Sequence, residues 1–184
     1  MYGWTGTEKH ERCCAASVGE MGAFTRQELD DAFAVYQQGS EKAAASGDWA
    51  TWAEQFTDDA RYLEHAYGTF VGRDAIRGWI TKTMAVFPGS CMSSFPIEWY
   101  VADDSRGWIV CEIWNRMMDI GDGELHQASN LTVLHYAGDG LWSCEEDVYI
   151  PADFMKMLQR WRRSAEEHDA LPEEARTWFA AFGG

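Results

Sequence analysis

Near residue 95 the hydrophobic period of this chain changes from that of helices to that of strands, and the change comes once. Beyond it stand four long runs, "FPIEWYVADD", "GWIVCEIWNRMMD", "LHQASNLTVLHYAG" and "LWSCEEDVYI". Turn residues divide them at Asp104-Ser105-Arg106-Gly107, Gly121-Asp122-Gly123 and Gly138-Asp139-Gly140. Consecutive strands on short loops pair antiparallel. Helices first and a meander afterwards exclude an alternating α/β chain and give an α+β protein.

The helical part has its own punctuation. Thr25 precedes Glu28 by three residues, a reciprocal cap, and Leu29, Phe33 and Tyr36 follow at helical spacing until Gly47 stops the run. Asp48 caps a short helix with Trp49, Trp52 and Phe56 on one stripe. "TDDARYLEHAYG" breaks the period and reads as a strand. Gly72 opens a third helix with Ile76, Trp79, Ile80 and Met84 facing inward, ended by Phe87-Pro88-Gly89. Two helical pieces close the chain, Ala152 to about His168 and Pro172 to Phe182. One strand before the third helix and several after it curl into a half-open cone: a strongly curved, mixed, mostly antiparallel sheet plugged by helices, with a pocket between. Residues 1–22 have no period and are expected to be a flexible extension, 23–150 the domain, and 151–184 a C-terminal helical extension.

Composition narrows function. Thirty acidic against fifteen basic residues give a formal charge of −15, which repels phosphate backbones and anionic lipid, so nucleic acid and membrane are not expected partners. No apolar run reaches the ~18 residues that span a bilayer. The five cysteines, Cys13, Cys14, Cys91, Cys111 and Cys144, have no metal-type spacing and read as buried thiols of a cytoplasmic protein. Aromatics at 14%, ten of them Trp, suffice to line a pocket with rings.

The order of motifs resembles a known family. "SGDW" ending a capped helix, a Trp-rich helix, "FTDDARYLEHAYGTFVGRDAI", an amphipathic helix and a meander are similar to the SnoaL-like branch of the nuclear transport factor 2-like superfamily. That superfamily holds ketosteroid isomerases, dehydratases, epoxide hydrolases, cyclases and pure binding modules, so the resemblance implies the cone fold and leaves function to the positions.

The resemblance places Glu64 where the isomerases carry a proton-shuttling aspartate. A carboxyl among Tyr62, tryptophans and methionines has its charged form disfavoured, as a general base requires; the alternative is an ion pair with Arg73 or Arg61. His65 points the other way in a regular strand, and only a bulge brings both inside. In the strand near residue 130, alternation puts His126, Ala128, Asn130, Thr132 and Leu134 on one face, which the resemblance turns toward the pocket. Asn130 resembles the pocket asparagine of scytalone dehydratase and would hold a ligand oxygen, with His126 as a second acid or base. Asn115 shares an apolar face with Ile109, Cys111, Ile113 and Met117, while Glu112 and Arg116 are expected to form an ion pair on the other. The isomerases' first-helix tyrosine falls on Ser40, one turn from Tyr36. Scytalone dehydratase's helix pair falls on Ala44 and Ala45, and "RMMD" lacks the spacing of limonene epoxide hydrolase. "CEEDVY" divides Glu145, Glu146 and Asp147 between faces, against a metal site.

Two functions are then open. One is a cofactor-independent lyase or isomerase for a hydrophobic oxygenated molecule, with Glu64, His65 and His126 catalytic and Tyr36, Tyr62, Asn115, Asn130 and Thr132 holding substrate. The other is a non-catalytic ligand-binding or scaffold module. An enzyme should converge Glu64, His126 and Asn130 on one cavity; a scaffold should pair them with protein groups. Trp99, Trp108 and Trp114 on the convex face lead to the expectation of a homodimer.

Overall fold

The structure is a computed structural model and describes residues 24–182. The expected N-terminal extension, with Cys13 and Cys14, lies outside the described residues. Helix α1 spans Arg26–Ser46, begun by Thr25 Oγ1 accepting from Glu28 N at 3.2 Å and ended by Gly47, whose φ of 77° needs a residue without a Cβ. Asp48 caps the four-residue α2, Trp49–Trp52. Then follow β1 (Phe56–Glu64), β2 (Gly68–Val71), α3 (Arg73–Met84), β3 (Met92–Ser94), β4 (Ile97–Asp103), β5 (Trp108–Met117), β6 (Gln127–Gly138), β7 (Leu141–Val148), α4 (Pro151–Glu167) and α5 (Glu173–Phe182).

The seven strands form one sheet in the order β2-β1-β7-β6-β5-β3, with β4 also on β5. All pairs are antiparallel except β1 with β7. Register shifts interrupt the β1–β7, β3–β5, β4–β5 and β6–β7 ladders, and such bulges bend a sheet. The expected α+β cone is therefore present. Two short strands, β2 and β3, escape the sequence pattern because four and three residues are too few to establish a period.

Burial follows alternation. On β1, Ala60, Tyr62 and Glu64 face the helices; on β6, Ala128, Asn130, Thr132 and Leu134 do. A main core joins α1, α2 and α3 to this concave face. A second cluster around Trp161, Met157 and Phe179 seats α4 and α5 on Phe87, Met117 and Ile120. Two polar clasps hold α4: Trp161 Nε1 donates to Met118 O at 3.1 Å, and Ser164 Oγ donates to Asp122 Oδ2 at 2.5 Å.

Two expectations need correction. Glu112 and Arg116 do not pair: Glu112 accepts from Trp99 Nε1 at 2.7 Å and Arg116 Nε donates to Gln127 Oε1 at 2.9 Å, because cross-strand neighbours lie nearer than the next residue along the same face. Cys144 is disulfide-bonded, whereas Cys91 and Cys111 are buried thiols. An odd cysteine count never excluded one bridge, and spacing does not reveal which sulfurs meet in space. Among the described residues no helix is long and apolar enough to cross a membrane.

Candidate functional site

Between the concave face and the helices lies a chamber of about 580 Å³, within the range of small-molecule sites. Its walls are mostly apolar: Trp49 and Trp52 from α2, Trp79 and Met84 from α3, and Ile113 from β5. Phe87 and, from beyond the sheet, Phe154 and Leu158 of α4 and Trp178 of α5 add to the apolar lining.

The polar groups converge from four strands and one helix. Glu145 and Asp147 are two residues apart on β7, so both side chains point inward. Tyr36 Oη donates to Glu145 Oε1 at 2.8 Å. The Tyr62 hydroxyl lies 2.5 Å from Asp147 Oδ2 and 3.0 Å from Glu145 Oε1. It owns one proton, and the shorter contact claims it, so the Glu145 contact is completed by a proton on that carboxyl. Asp147 Oδ1 accepts from Thr132 Oγ1 at 2.5 Å and from Asn130 Nδ2 at 3.0 Å. Asn130 Oδ1 in turn accepts from Asn115 Nδ2 at 2.7 Å.

Electrostatics agree with that proton count. Burial, then the neighbouring Asp147, push Glu145 well above the usual carboxyl range, which favours its neutral form. Burial also raises Asp147, to about 6, against the donors Thr132 and Tyr62 that favour its charged form. Burial and the carboxylates beside them hold Tyr36 and Tyr62 protonated. Glu145 Oε2 is buried with no hydrogen-bond partner, on a residue only 2% exposed. Asp147 uses three of the roughly four acceptor sites a carboxylate offers, leaving one.

Sequence reasoning placed some residues here and not others. Glu64 is buried and lines the chamber, with no partner in Arg73, whose guanidinium engages Phe56 O, Asp58 and Glu54. Arg61 projects from the opposite face of β1. Glu64 Oε2 instead accepts from Ala66 N and Tyr67 N at 2.8 and 2.7 Å, fastening the β1–β2 turn. Tyr36, Tyr62, Asn115 and Asn130 line the chamber, and Thr132 supports it from behind. His65 points away, its ring half exposed and 3.0 Å from Glu146, since no bulge occurs there. His126 precedes β6 and is buried beside Asp122 at 2.7 Å, outside the chamber. The trio Glu64, His126 and Asn130 thus does not converge. Asp122, Glu124 and His126 bring ligand atoms within 4.8 Å of one another, but His126 and Ser164 already engage Asp122.

The residues missed were Glu145 and Asp147. The signal was legible: alternation in "CEEDVY" separates Glu146 from its neighbours but puts the other two on one face.

The model of the SnoaL-like domain family matches residues 37–143. None of the curated proteins matches the sequence. Three solved structures are similar. A putative isomerase from Bacillus subtilis is 14% identical, with 72% of this chain and 94% of that one covered and a TM-score of 0.55. A Mycobacterium tuberculosis LEH-like epoxide hydrolase is 16% identical over 73% and 91%, with a TM-score of 0.54. A Catenulispora acidiphila protein with a ketosteroid isomerase-like fold, in complex with trimethylamine, is 20% identical over 72% and 93%, with a TM-score of 0.53. At these identities the likeness concerns the fold.

Proposed function

Because the chain belongs to the SnoaL-like domain family, we propose that its chamber takes a hydrophobic, oxygen-bearing small molecule and transforms it by proton transfer without a cofactor, as a lyase or isomerase. The observation that carries this reading is the chain of contacts from Glu145 through Tyr62 to Asp147 on the wall of an apolar chamber. Asp147, with its unused acceptor site, takes a proton from a substrate carbon. Glu145 gives its own to the substrate oxygen. In a dehydration the C–O bond breaks, a C=C bond forms and water leaves; in an isomerisation the oxygen stays bound as an enol, Asp147 returns its proton to a different carbon, and the enol hydroxyl gives its proton back to Glu145, so both carboxyls end as they began. After a dehydration Asp147 holds the extra proton and Glu145 lacks one. Tyr62 resets the site by accepting from Asp147 while donating to Glu145. Tyr36 and Asn130 fix the two carboxyls, and Glu64 shapes the adjoining wall.

The pairing of Asn115, Asn130 and Thr132 with protein groups favours a second reading, binding without chemistry. Native mass spectrometry of the purified chain, looking for a retained lipophilic ligand, followed by deuterium incorporation from D2O into a panel of enolisable cyclic ketones, separates the two. The enzyme reading expects exchange above the buffer rate, reduced about 10²-fold or more in Asp147→Asn. Binding with no exchange, or exchange unchanged in that variant, refutes it. Trp99, Val101, Leu131 and Val148, between 42% and 58% exposed, all face outward from β4, β6 and β7. A homodimer formed through this apolar face is the second part of the reading.

A further inference from the structure

Three carboxyl groups share one patch of the chamber wall. Glu64 stands opposite Asp147 in the parallel β1–β7 ladder, and Tyr62 stands opposite Glu145 in the same ladder. Adjacent strands are about 4.8 Å apart, so Glu64 and Asp147 are direct neighbours, and like charges so placed disfavour folding. Among the described residues no lysine, arginine or histidine lines the chamber. The nearest imidazole on this element, His65, faces out and is engaged by Glu146. Glu145 adds an independent sign: it lines the same chamber, and its Oε2 is buried without a partner.

Such a wall awaits positive charge, and its dimensions say of what kind. The three carboxyls do not bring an oxygen each within 4.8 Å of one another, so they do not form the tight cage of a bare metal ion. A larger, softer cation fits. The rings of Trp52, Tyr62 and Trp79 line the same chamber as the carboxyls, with Tyr62 and Trp79 centroids 4.7 Å apart and Trp52 and Tyr62 6.4 Å apart. Aromatic rings beside carboxylates favour an alkylated ammonium, which sheds little hydration on entering an apolar space.

We infer that the ligand of this chamber is a hydrophobic amine that also bears oxygen, its cationic nitrogen held beside Glu64 in the field of Asp147 and Glu145, the open acceptor site of Asp147 staying free for the proton, and its apolar body lying toward Phe154, Leu158 and Trp178. This rests on the chamber reading above and names the substrate class. The nitrogen offsets the cross-strand repulsion, and the helices beyond the sheet cover the remainder.

The test uses the full chain and two probes of one shape, benzyltrimethylammonium and its neutral carbon isostere neopentylbenzene. Both are titrated against tryptophan fluorescence at pH 7.5. The cation is expected to bind at least about tenfold tighter than the isostere, about 1.4 kcal/mol, and to retain that preference from 0.15 to 0.5 M salt, since a buried site is weakly screened. Glu64→Gln with Asp147→Asn should bring the ratio within about threefold while the isostere binds as before. Should that pair unfold, Glu64→Gln alone must lower the ratio. Equal binding, or tighter binding of the isostere, overturns the amine inference and leaves the chamber standing. Binding of neither probe overturns both.

Discussion

Tyr62→Phe removes one hydroxyl from the centre of the site and keeps the ring that packs between Trp79 and Phe56. Asp147 then loses one of three donors. A hydrogen bond to a charged group contributes about 1.5–3 kcal/mol, and one pH unit corresponds to about 1.4 kcal/mol, so Asp147 should rise from about 6 by ~1–2 units. The folded carboxyl is raised above its ordinary 3.8, so it favours the folded state most below pH 4, and that advantage disappears as pH climbs through the folded value. In the wild type the loss is about 3 kcal/mol at most between pH ~4 and ~6, trimmed where the chamber admits water. In Tyr62→Phe the loss continues to pH ~7–8, adding ~1.5–3 kcal/mol. Urea denaturation at half-unit steps from pH 4.5 to 8.5 measures it. The variant should become progressively less stable than the wild type above pH 6. In an Asp147→Asn background the same substitution should show no such slope. A stability difference independent of pH would refute the proton assignment along Glu145, Tyr62 and Asp147.

Three further predictions concern other parts of the site and its supports. Because Glu145 is a neutral acid, Glu145→Gln should cost less than ~1.5 kcal/mol at pH 7, whereas Glu145→Ala, which leaves the Tyr36 hydroxyl without an acceptor, takes a donor from Tyr62 and opens a cavity, should cost ~3 kcal/mol or more in urea; equal losses would contradict the neutral state. Ser164, then His126, hold Asp122 well below the usual carboxylate range, so that clasp favours folding above pH ~4 and is lost on acidification; Ser164→Ala should move the acid unfolding midpoint, followed by circular dichroism, to higher pH. Light scattering at micromolar concentration should report twice the chain mass, and Val101→Lys with Leu131→Lys should return the monomer without lowering the melting temperature by more than a few degrees.

What the sequence disclosed depended on how many residues carried each signal. Helices α1, α3 and α4 each repeat an apolar face over three turns or more, and the caps Thr25 and Gly47 of α1 and Asp48 of α2 act within four residues, so local chemistry fixes them. The position of β7 between β1 and β6 depends on a contact between strands some eighty residues apart, which no local pattern encodes. The site divided along the same line. Glu64 was visible because an acid inside a strand contradicts its surroundings. Alternation puts Glu145 and Asp147 on one face, but they stand among other acids at the end of the last strand, and only their register against Tyr62 and Glu64 shows which face is the inner one. His126 deceived because alternation was extended one residue past the start of β6, where the loop turns the ring toward α4.

The one parallel ladder explains why the costly groups gather where they do. In an antiparallel pair a strand's end meets its neighbour's beginning, so residues from two strand ends seldom share a patch. β1 and β7 run the same way, and their final residues, Glu64 and Asp147, therefore come side by side at one end of the cone. That end is where α4 begins three residues after β7 and adds Phe154 and Leu158 to the chamber lining. Three carboxyls beneath an apolar cover destabilise the fold unless protons or a cation share their field. Tyr36, Tyr62, Thr132 and Asn130 supply hydrogen bonds but no positive charge. A sheet built only for stability would place leucine or valine at Glu145, where two tyrosine hydroxyls and a fully enclosed side chain leave no access to water. The local rule is broken three times on one patch of an otherwise apolar wall, and a chamber open to a small molecule is the setting in which that imbalance has a use.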